Sequence, residues 1–306
     1  MGFTVALSAC GTPAWVADAP APVLAALGCP ESPDLLDFEP LFAYGERCGE
    51  LLGARAFSER GAAVPASHQP VFYDGVSHGM RQPPADLDAW LAQVRSTPTH
   101  LQPFMHEAAI RAWTMQADGE PDLVVPWVAD YVEKAGIADG FNGVRVGLQQ
   151  SRGDDLAEAL DLAARYPADW WPPLYEELGW RVGDRLWRDG PDPETLLPHV
   201  PEEARCAYVQ GTLRGLTLRH ISDGQTEWSA VEAVAQRIGG DCACAAWYGV
   251  GWAVALTSGR DSGRAEHTLD GIADLDGREH ARDASRWALS GGNAPWSRPS
   301  KGPRQR

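Results

Sequence analysis

The hydrophobic and polar positions of this chain predict a series of amphipathic helices. Four segments place apolar residues at positions i, i+3, i+4 and i+7, the spacing of one helix face. These quartets are Leu87, Trp90, Leu91 and Val94; Val124, Trp127, Val128 and Tyr131; Leu156, Ala159, Leu160 and Ala163; and Val231, Val234, Ala235 and Ile238. Pro121-Asp122 and Asp154-Asp155 precede two quartets and fit helix starts. No stretch alternates with period two for long enough to predict a sheet.

A second pattern consists of small residues in pairs, four positions apart, each following an aromatic residue. A recurrence of this kind at intervals of 30 to 38 residues is typical of repeat architectures. Glycine inside a helix costs roughly 1 kcal/mol relative to alanine, so we infer that these helices approach one another closely. The pairs are Gly45/Gly49, Gly75/Gly79, Ala108/Ala112, Gly143/Gly147, Gly179/Gly183, Gly211/Gly215 and Gly249/Ala253.

Each repeat is therefore predicted to contain one helix with small residues and one amphipathic helix. We predict an all-α fold of about seven tandem helical hairpins over residues 36–289. The hairpins would form an α-solenoid or a closed αα-toroid, with the small-residue helices on the inner side. Residues 1–35, rich in Pro and Ala, are predicted to be an irregular lead-in, and residues 290–306 a disordered tail.

Composition narrows the classes of partner. The chain has 306 residues, of which 44% are hydrophobic, and a net charge of −16. An acidic surface argues against binding to nucleic acid, whose phosphates require basic residues. It also argues against anionic membranes. We therefore expect neither nucleic acid nor a membrane as a partner.

The cysteines and the apolar stretches allow predictions about metal binding and cellular location. No Cys/His spacing matches a metal site, so we predict no metal. We interpret the cysteines as small buried residues, with Cys242 and Cys244 as an alternative redox pair. The stretch before Cys10 is too short and lacks the basic residue of a lipoprotein signal. Residues 242–256 are uncharged but fall short of the ~20 residues that span a bilayer, so we expect a buried helix and a cytoplasmic protein. The cysteines are Cys10, Cys29, Cys48, Cys206, Cys242 and Cys244.

The candidate chemistry flanks the small residues, where positions i and i+4 share one helix face. If these faces line one cavity, acids and bases would converge there, with Asp74–His78 and His106–Glu107 as proton-transfer pairs. The predicted catalytic residues are Asp74, His78, Glu107 and Glu177. The predicted substrate-binding residues are Arg111, Asn142, Arg145, Arg181, Gln210, Arg214, Tyr248 and Trp252. The arginines would hold a carboxylate, phosphate or enolate.

A structural alternative stays open for these charged residues. Glu107–Arg111 and similar pairs would then be inter-helix salt bridges. The sequence contains no GxGxxG, P-loop or GxSxG motif, so we predict no cofactor.

Four segments carry short motifs that recur together in one bacterial family. They are Phe72-Tyr73-Asp74-Gly75, residues 138–143, residues 183–187 and residues 248–253. They resemble the Tyr-Glu-Gly-like, Asp-Gly-Tyr-Gly-like, Gly-x-x-Leu-Trp and Gly-Val-Gly-Trp-Ala motifs of a family of unknown function encoded beside enediyne polyketide synthases. The order differs, because the intact Gly-Val-Gly-Trp-Ala motif lies late in this chain, at Gly249 to Ala253. Asp74 also stands where the family has Glu, so the chain would be a divergent member.

The resemblance implies a role in polyketide-type secondary metabolism. We expect the protein to bind a hydrophobic small molecule in a helical-repeat cavity, and any reaction to be a cofactor-independent cyclisation or isomerisation by acid–base chemistry. One alternative is a non-catalytic α-solenoid that binds a protein partner in a biosynthetic pathway. Another is a terpene-type cyclase, which also uses an aromatic-lined helical cavity.

Overall fold

A computed structural model describes residues 38–66, 68–152, 155–186, 190–225, 228–258 and 261–290. The predicted lead-in, residues 1–35, lies outside these ranges, as does the predicted tail after Ser290. Within these ranges the chain is all-α and contains no strand, which confirms the predicted fold class. The chain divides into two compact units between Ser151 and Arg152.

The N-terminal unit contains seven α-helices within the described ranges. They are α1 (Phe38–Leu52), α2 (Arg55–Glu59), α3 (Gln69–Gly79), α4 (Leu87–Ser96), α5 (Gln102–Gln116), α6 (Pro121–Ala135) and α7 (Phe141–Arg152). The small-residue helices pack in chain order, α1 on α3 and α3 on α5. The amphipathic helices α4 and α6 both pack against α5.

The C-terminal unit repeats this arrangement. Its helices are α8 (Leu156–Ala163), α9 (Trp171–Leu186), α10 (Pro193–Leu196), α11 (Arg205–Ser222), α12 (Ser229–Gly239), α13 (Ala243–Thr257), α14 (Ser262–Leu269) and α15 (Leu275–Leu289). Helix α9 packs on α11, α11 on α13, and α13 on α15. The amphipathic helices lie beside this row, with α12 against both α11 and α13.

The predicted amphipathic helices begin where local sequence favours a start. Asp86 caps α4 by accepting a hydrogen bond from the Ala89 amide, and Asp155 caps α8 in the same way. Pro121 is the first residue of α6, a position that tolerates its missing N–H. The apolar quartets of α4, α6, α8 and α12 are largely buried, which confirms the helical periodicity.

All seven small pairs lie inside helices, and glycines at these positions allow backbones to touch. A Cβ on Gly79 of α3 would lie closer than 3.0 Å to the Glu46 carbonyl oxygen of α1. A Cβ on Gly211 of α11 would meet the Glu176 carbonyl oxygen of α9 within the same limit. Real Cβ atoms essentially never come so close, so the predicted close packing is confirmed. Whether the repeats form an open solenoid or a toroid stays a prediction.

The cysteines differ from the sequence prediction. Cys206 and Cys242 form a disulfide with a Cα–Cα distance of 5.0 Å, and Cys48 is also disulfide-bonded. Cys244 is a free, exposed thiol. The interpretation of unpaired buried cysteines is therefore wrong for the bonded ones, and Cys242 pairs with Cys206 instead of Cys244. The partners are 36 residues apart, and packing of neighbouring helices brings them together.

The uncharged stretch at residues 242–256 forms α13, whose residues are mostly buried. This confirms the predicted buried helix. In the described ranges we find no helix with the length and apolar character needed to cross a membrane.

Candidate functional site

The N-terminal unit gathers acidic side chains around one buried histidine. His78 lies in the last turn of α3 and is 3% exposed. Asp74, one helical turn earlier, places its Oδ1 atom 3.4 Å from the His78 Nε2 atom. Within the described part of the chain, neither atom has a hydrogen-bond partner of good geometry. The predicted Asp74–His78 pair therefore exists as a close electrostatic contact.

Two further carboxyl groups share this histidine as a neighbour. Burial raises the pKa of Glu107 on α5, and the charge of Asp74 raises it further, while His78 opposes the shift. Burial also raises the pKa of Glu46 on α1, and His78 is the strongest influence in the other direction. We refer to Glu46, Asp74, His78 and Glu107 as the His78 cluster. It combines two carboxyl groups whose pKa burial raises, Glu46 and Glu107, with the Asp74 carboxylate and one imidazole.

Arg111 supports the His78 cluster from the next helix. Its side chain is fully buried; Nη1 donates to the His78 carbonyl oxygen at 2.6 Å and Nη2 to the Met80 carbonyl oxygen at 2.9 Å. Carbonyls at a helix C-terminus lack partners within the helix, and a positive charge is favourable there. Nη1 also donates to Gln150 Oε1 of α7 at 2.9 Å. These bonds give Arg111 a structural role, with main-chain and Gln150 partners that the sequence did not indicate.

The remaining predicted residues of this unit lie at the margin of the cluster. Arg145 Nε donates to Asn142 Oδ1 at 3.2 Å, one turn apart on α7. Arg145 is near enough to Glu107 to oppose the rise of its pKa. Asn142 is exposed. The structure thus brings Arg145 close to the predicted acids and places Asn142 at the surface.

The C-terminal unit contains a second buried group of charges, which we term the Arg214 cluster: Glu176, Glu177 and Arg214. Arg214 Nη1 lies 2.7 Å from Glu176 Oε1, and Nη2 lies 3.9 Å from Glu177 Oε2. All three residues are buried. Arg214 belongs to α11 and both glutamates to α9, so this is the inter-helix salt bridge considered as the structural alternative.

The other predicted residues of this unit have different surroundings. Arg181 Nη1 lies 3.7 Å from Asp184 Oδ2 on the same helix, and Gln210 is buried on α11. Tyr248 and Trp252 are half-buried on α13. The Trp252 ring packs against Trp287 of α15, with a centroid distance of 5.7 Å.

Glu46 is the member of the His78 cluster that sequence reasoning missed. It follows Gly45, whereas the predicted residues were taken one position before and three positions after the first small residue. The sequence feature that could have identified Glu46 is a charged residue directly after a glycine of a small pair. Because the Glu46 carbonyl contacts Gly79 of α3, the Glu46 side chain begins at the interface between the two helices.

Among the described residues, no three His, Cys, Asp or Glu side chains lie in an arrangement that could hold a metal ion. Comparison with known proteins adds no family: no protein-family model, curated protein or solved structure matches this chain.

Proposed function

We propose that the His78 cluster is an acid–base site that moves a proton within a hydrophobic small molecule. One observation carries the proposal: a buried imidazole contacts Asp74 at 3.4 Å and has two neighbouring carboxyl groups whose pKa burial raises. Titratable groups whose environments favour opposite protonation states are the arrangement expected of a paired acid and base.

The roles follow from the surroundings of each group. Asp74 keeps 13% of its side-chain surface exposed and supports the His78 imidazole as the general base. Glu107 is held towards its protonated form by burial and serves as the general acid. Proton removal at one atom and delivery at another shifts a double bond or closes a ring. This chemistry requires only the side chains of the cluster.

The substrate class rests on the sequence resemblance. We propose a polyketide-type substrate and a divergent membership of the family encoded in enediyne polyketide clusters, on the motifs around Asp74 and Gly249. The Phe42 ring, which lies 5.5 Å from the His78 ring, is consistent with a hydrophobic substrate.

In the test, the gene in its native host is replaced with a gene that encodes Asp74→Asn and, separately, with one that encodes Glu107→Gln. Because proton transfer conserves mass, we expect one hydrophobic metabolite to disappear and an isomer of equal mass to accumulate, resolved by chromatography with mass spectrometry. Glu133→Gln is the control, since it removes one carboxylate from an exposed position of the same unit. Unchanged metabolites in both variants, each shown to be folded, would contradict the proposal.

A non-catalytic binding module is the second candidate. The net charge of −16 favours it, together with the Arg214–Glu176 pair, in which the predicted substrate-binding residue Arg214 serves internal packing. This function predicts that a basic protein partner binds wild type and Asp74→Asn equally. Its affinity would fall as salt is raised, because exposed charges are screened.

A cytoplasmic location remains part of the proposal. The Cys206–Cys242 disulfide is the observation that opposes it, because disulfides persist mainly in oxidising compartments. Thiol labelling of the protein, isolated from its host under acid quench, distinguishes a cytoplasmic location from an oxidising compartment. Labelling of Cys206 and Cys242 supports the cytoplasm, whereas protection of both excludes it.

A further inference from the structure

Tyr131 of α6 lies at the centre of a polar and aromatic network in the N-terminal unit. Its side chain is fully buried. The phenol oxygen is 3.1 Å from the Trp90 Nε1 atom of α4 and 2.9 Å from the His106 Nδ1 atom of α5. One buried hydroxyl thus joins three helices of this unit. The His78 cluster does not use these residues.

The donors and acceptors determine where the phenol proton points. An indole N–H can only donate, so the Tyr131 oxygen accepts from Trp90. The phenol proton is then free to be donated to His106 Nδ1, which must carry the lone pair. Burial lowers the pKa of His106, which favours this neutral ring. Burial also raises the pKa of Tyr131, so the phenol does not ionise by losing its proton to solvent.

Stacked indoles connect Tyr131 to the surface of the unit. Trp127 lies one turn before Tyr131 on α6, and their ring centroids are 5.1 Å apart with an interplanar angle of 25°. Trp113 of α5 stacks on Trp127 at 4.9 Å and 17°. Both tryptophans are partly exposed. Indole and phenol rings are among the protein side chains that lose one electron most readily, and rings in contact exchange electrons easily.

We propose that Tyr131 is a redox-active tyrosine, oxidised through Trp127 and Trp113 with His106 as its proton acceptor. A one-electron oxidant at the exposed edge of the indole pair gains the electron that the phenol loses. The O–H bond breaks as the proton moves to His106 Nδ1, which leaves a neutral tyrosyl radical and an imidazolium. A one-electron reductant reverses both transfers.

Other buried tyrosines supply the matched comparison. Tyr73, Tyr175 and Tyr208 donate to the main-chain carbonyl oxygens of Phe57, Leu160 and Pro193, at 3.3, 2.8 and 3.1 Å. A carbonyl oxygen accepts a hydrogen bond but does not take up a proton at neutral pH. Oxidation of these phenols would leave a cation or expel a proton into an apolar interior, which is costly. Tyr131 differs from them by having a base as its acceptor.

The experiment oxidises the purified full-length protein at neutral pH with photogenerated ruthenium(III) tris-bipyridine and records electron paramagnetic resonance spectra. Wild type is expected to give a tyrosyl signal, which Tyr131→Phe removes and the control Tyr175→Phe leaves unchanged. His106→Gln retains a hydrogen-bond acceptor but not a proton acceptor, so we expect it to abolish the signal. Trp127→Leu should slow its formation.

Three results would overturn the proposal: no tyrosyl signal in wild type, a signal that survives in Tyr131→Phe, or an undiminished signal in His106→Gln. Should Tyr131→Phe fail to fold, the pair of His106→Gln and Tyr175→Phe decides, because the two give opposite predictions. Loss of the signal in Tyr175→Phe would place the radical on another tyrosine and would likewise count against Tyr131.

Discussion

The two units bury charge in different ways. In the C-terminal unit, Arg214 lies between Glu176 and Glu177 and bonds the first directly at 2.7 Å. In the N-terminal unit, the corresponding arginine, Arg111, donates to main-chain carbonyls and Gln150. The nearby carboxyl groups Glu46 and Glu107 have raised pKa values there. Similar helix rows thus hold an inter-helix salt bridge in one unit and carboxyl groups whose pKa burial raises in the other.

The largest expected effect comes from breaking the paired group. Arg214→Met leaves two buried glutamates without their cation, and removing one partner of a buried pair costs about 3–5 kcal/mol. We expect the free energy of unfolding, measured by denaturant titration, to fall by about that amount. The control Arg237→Met removes a half-exposed arginine paired with Asp192 and should cost less than about 1 kcal/mol.

The double variant Glu176→Gln with Arg214→Met sharpens this test. It removes one of the uncompensated charges, so its stability should exceed that of Arg214→Met alone. If the single and double variants unfold at the same denaturant concentration, charge pairing is not what Arg214 contributes.

The next effect concerns the packing that both units share. In Gly79→Ala and Gly211→Ala the new Cβ meets a backbone carbonyl, which cannot move aside without shifting a helix. We expect each to lower the free energy of unfolding by about 1–3 kcal/mol, as overpacking does. Gly239→Ala is the control, since its Cβ would lie 3.8 Å from the Ala243 Cβ. Equal melting temperatures for all three variants would refute close packing as the reason for the glycines.

A smaller expected effect is the pH dependence of stability that Glu107 gives to the His78 cluster. Because burial raises the pKa of Glu107 in the folded state, stability decreases as pH rises above the unfolded-state pKa of about 4.5. Glu107→Gln removes this loss and should stabilise the protein at neutral pH, on the order of 1 kcal/mol. The advantage should vanish below about pH 4.5, where glutamate is protonated in both states. If the stability of Glu107→Gln relative to wild type instead increases towards acid pH, a raised Glu107 pKa is not the explanation.

The smallest expected effect arises at His220 of the C-terminal unit. Burial lowers the pKa of His220, so its contribution to stability is present above the unfolded-state pKa of about 6.5 and lost as pH falls. Comparing unfolding of wild type and His220→Phe between neutral and mildly acidic pH tests this. Wild type should lose more stability than the variant on acidification, and parallel pH profiles would exclude the effect.

The sequence predicted the elements of the fold better than the roles of the charged residues. Asp155 and Pro121 marked helix starts correctly because capping depends on the nearest few residues. The Asp74–His78 contact was predictable for the same reason, since both residues belong to one helix. Glu46 joined that cluster only because α1 packs on α3.

The sequence by itself determined the all-α class, the amphipathic faces and the seven glycine or alanine pairs within helices, since these depend on spacing along the chain. Only the tertiary structure decided that Arg214 neutralises Glu176, that Arg111 bonds the end of α3, and that Cys206 pairs with Cys242. Each of these links residues at least 31 positions apart in the chain. Residue type and spacing show that such groups exist, but partners are selected when neighbouring helices come into contact.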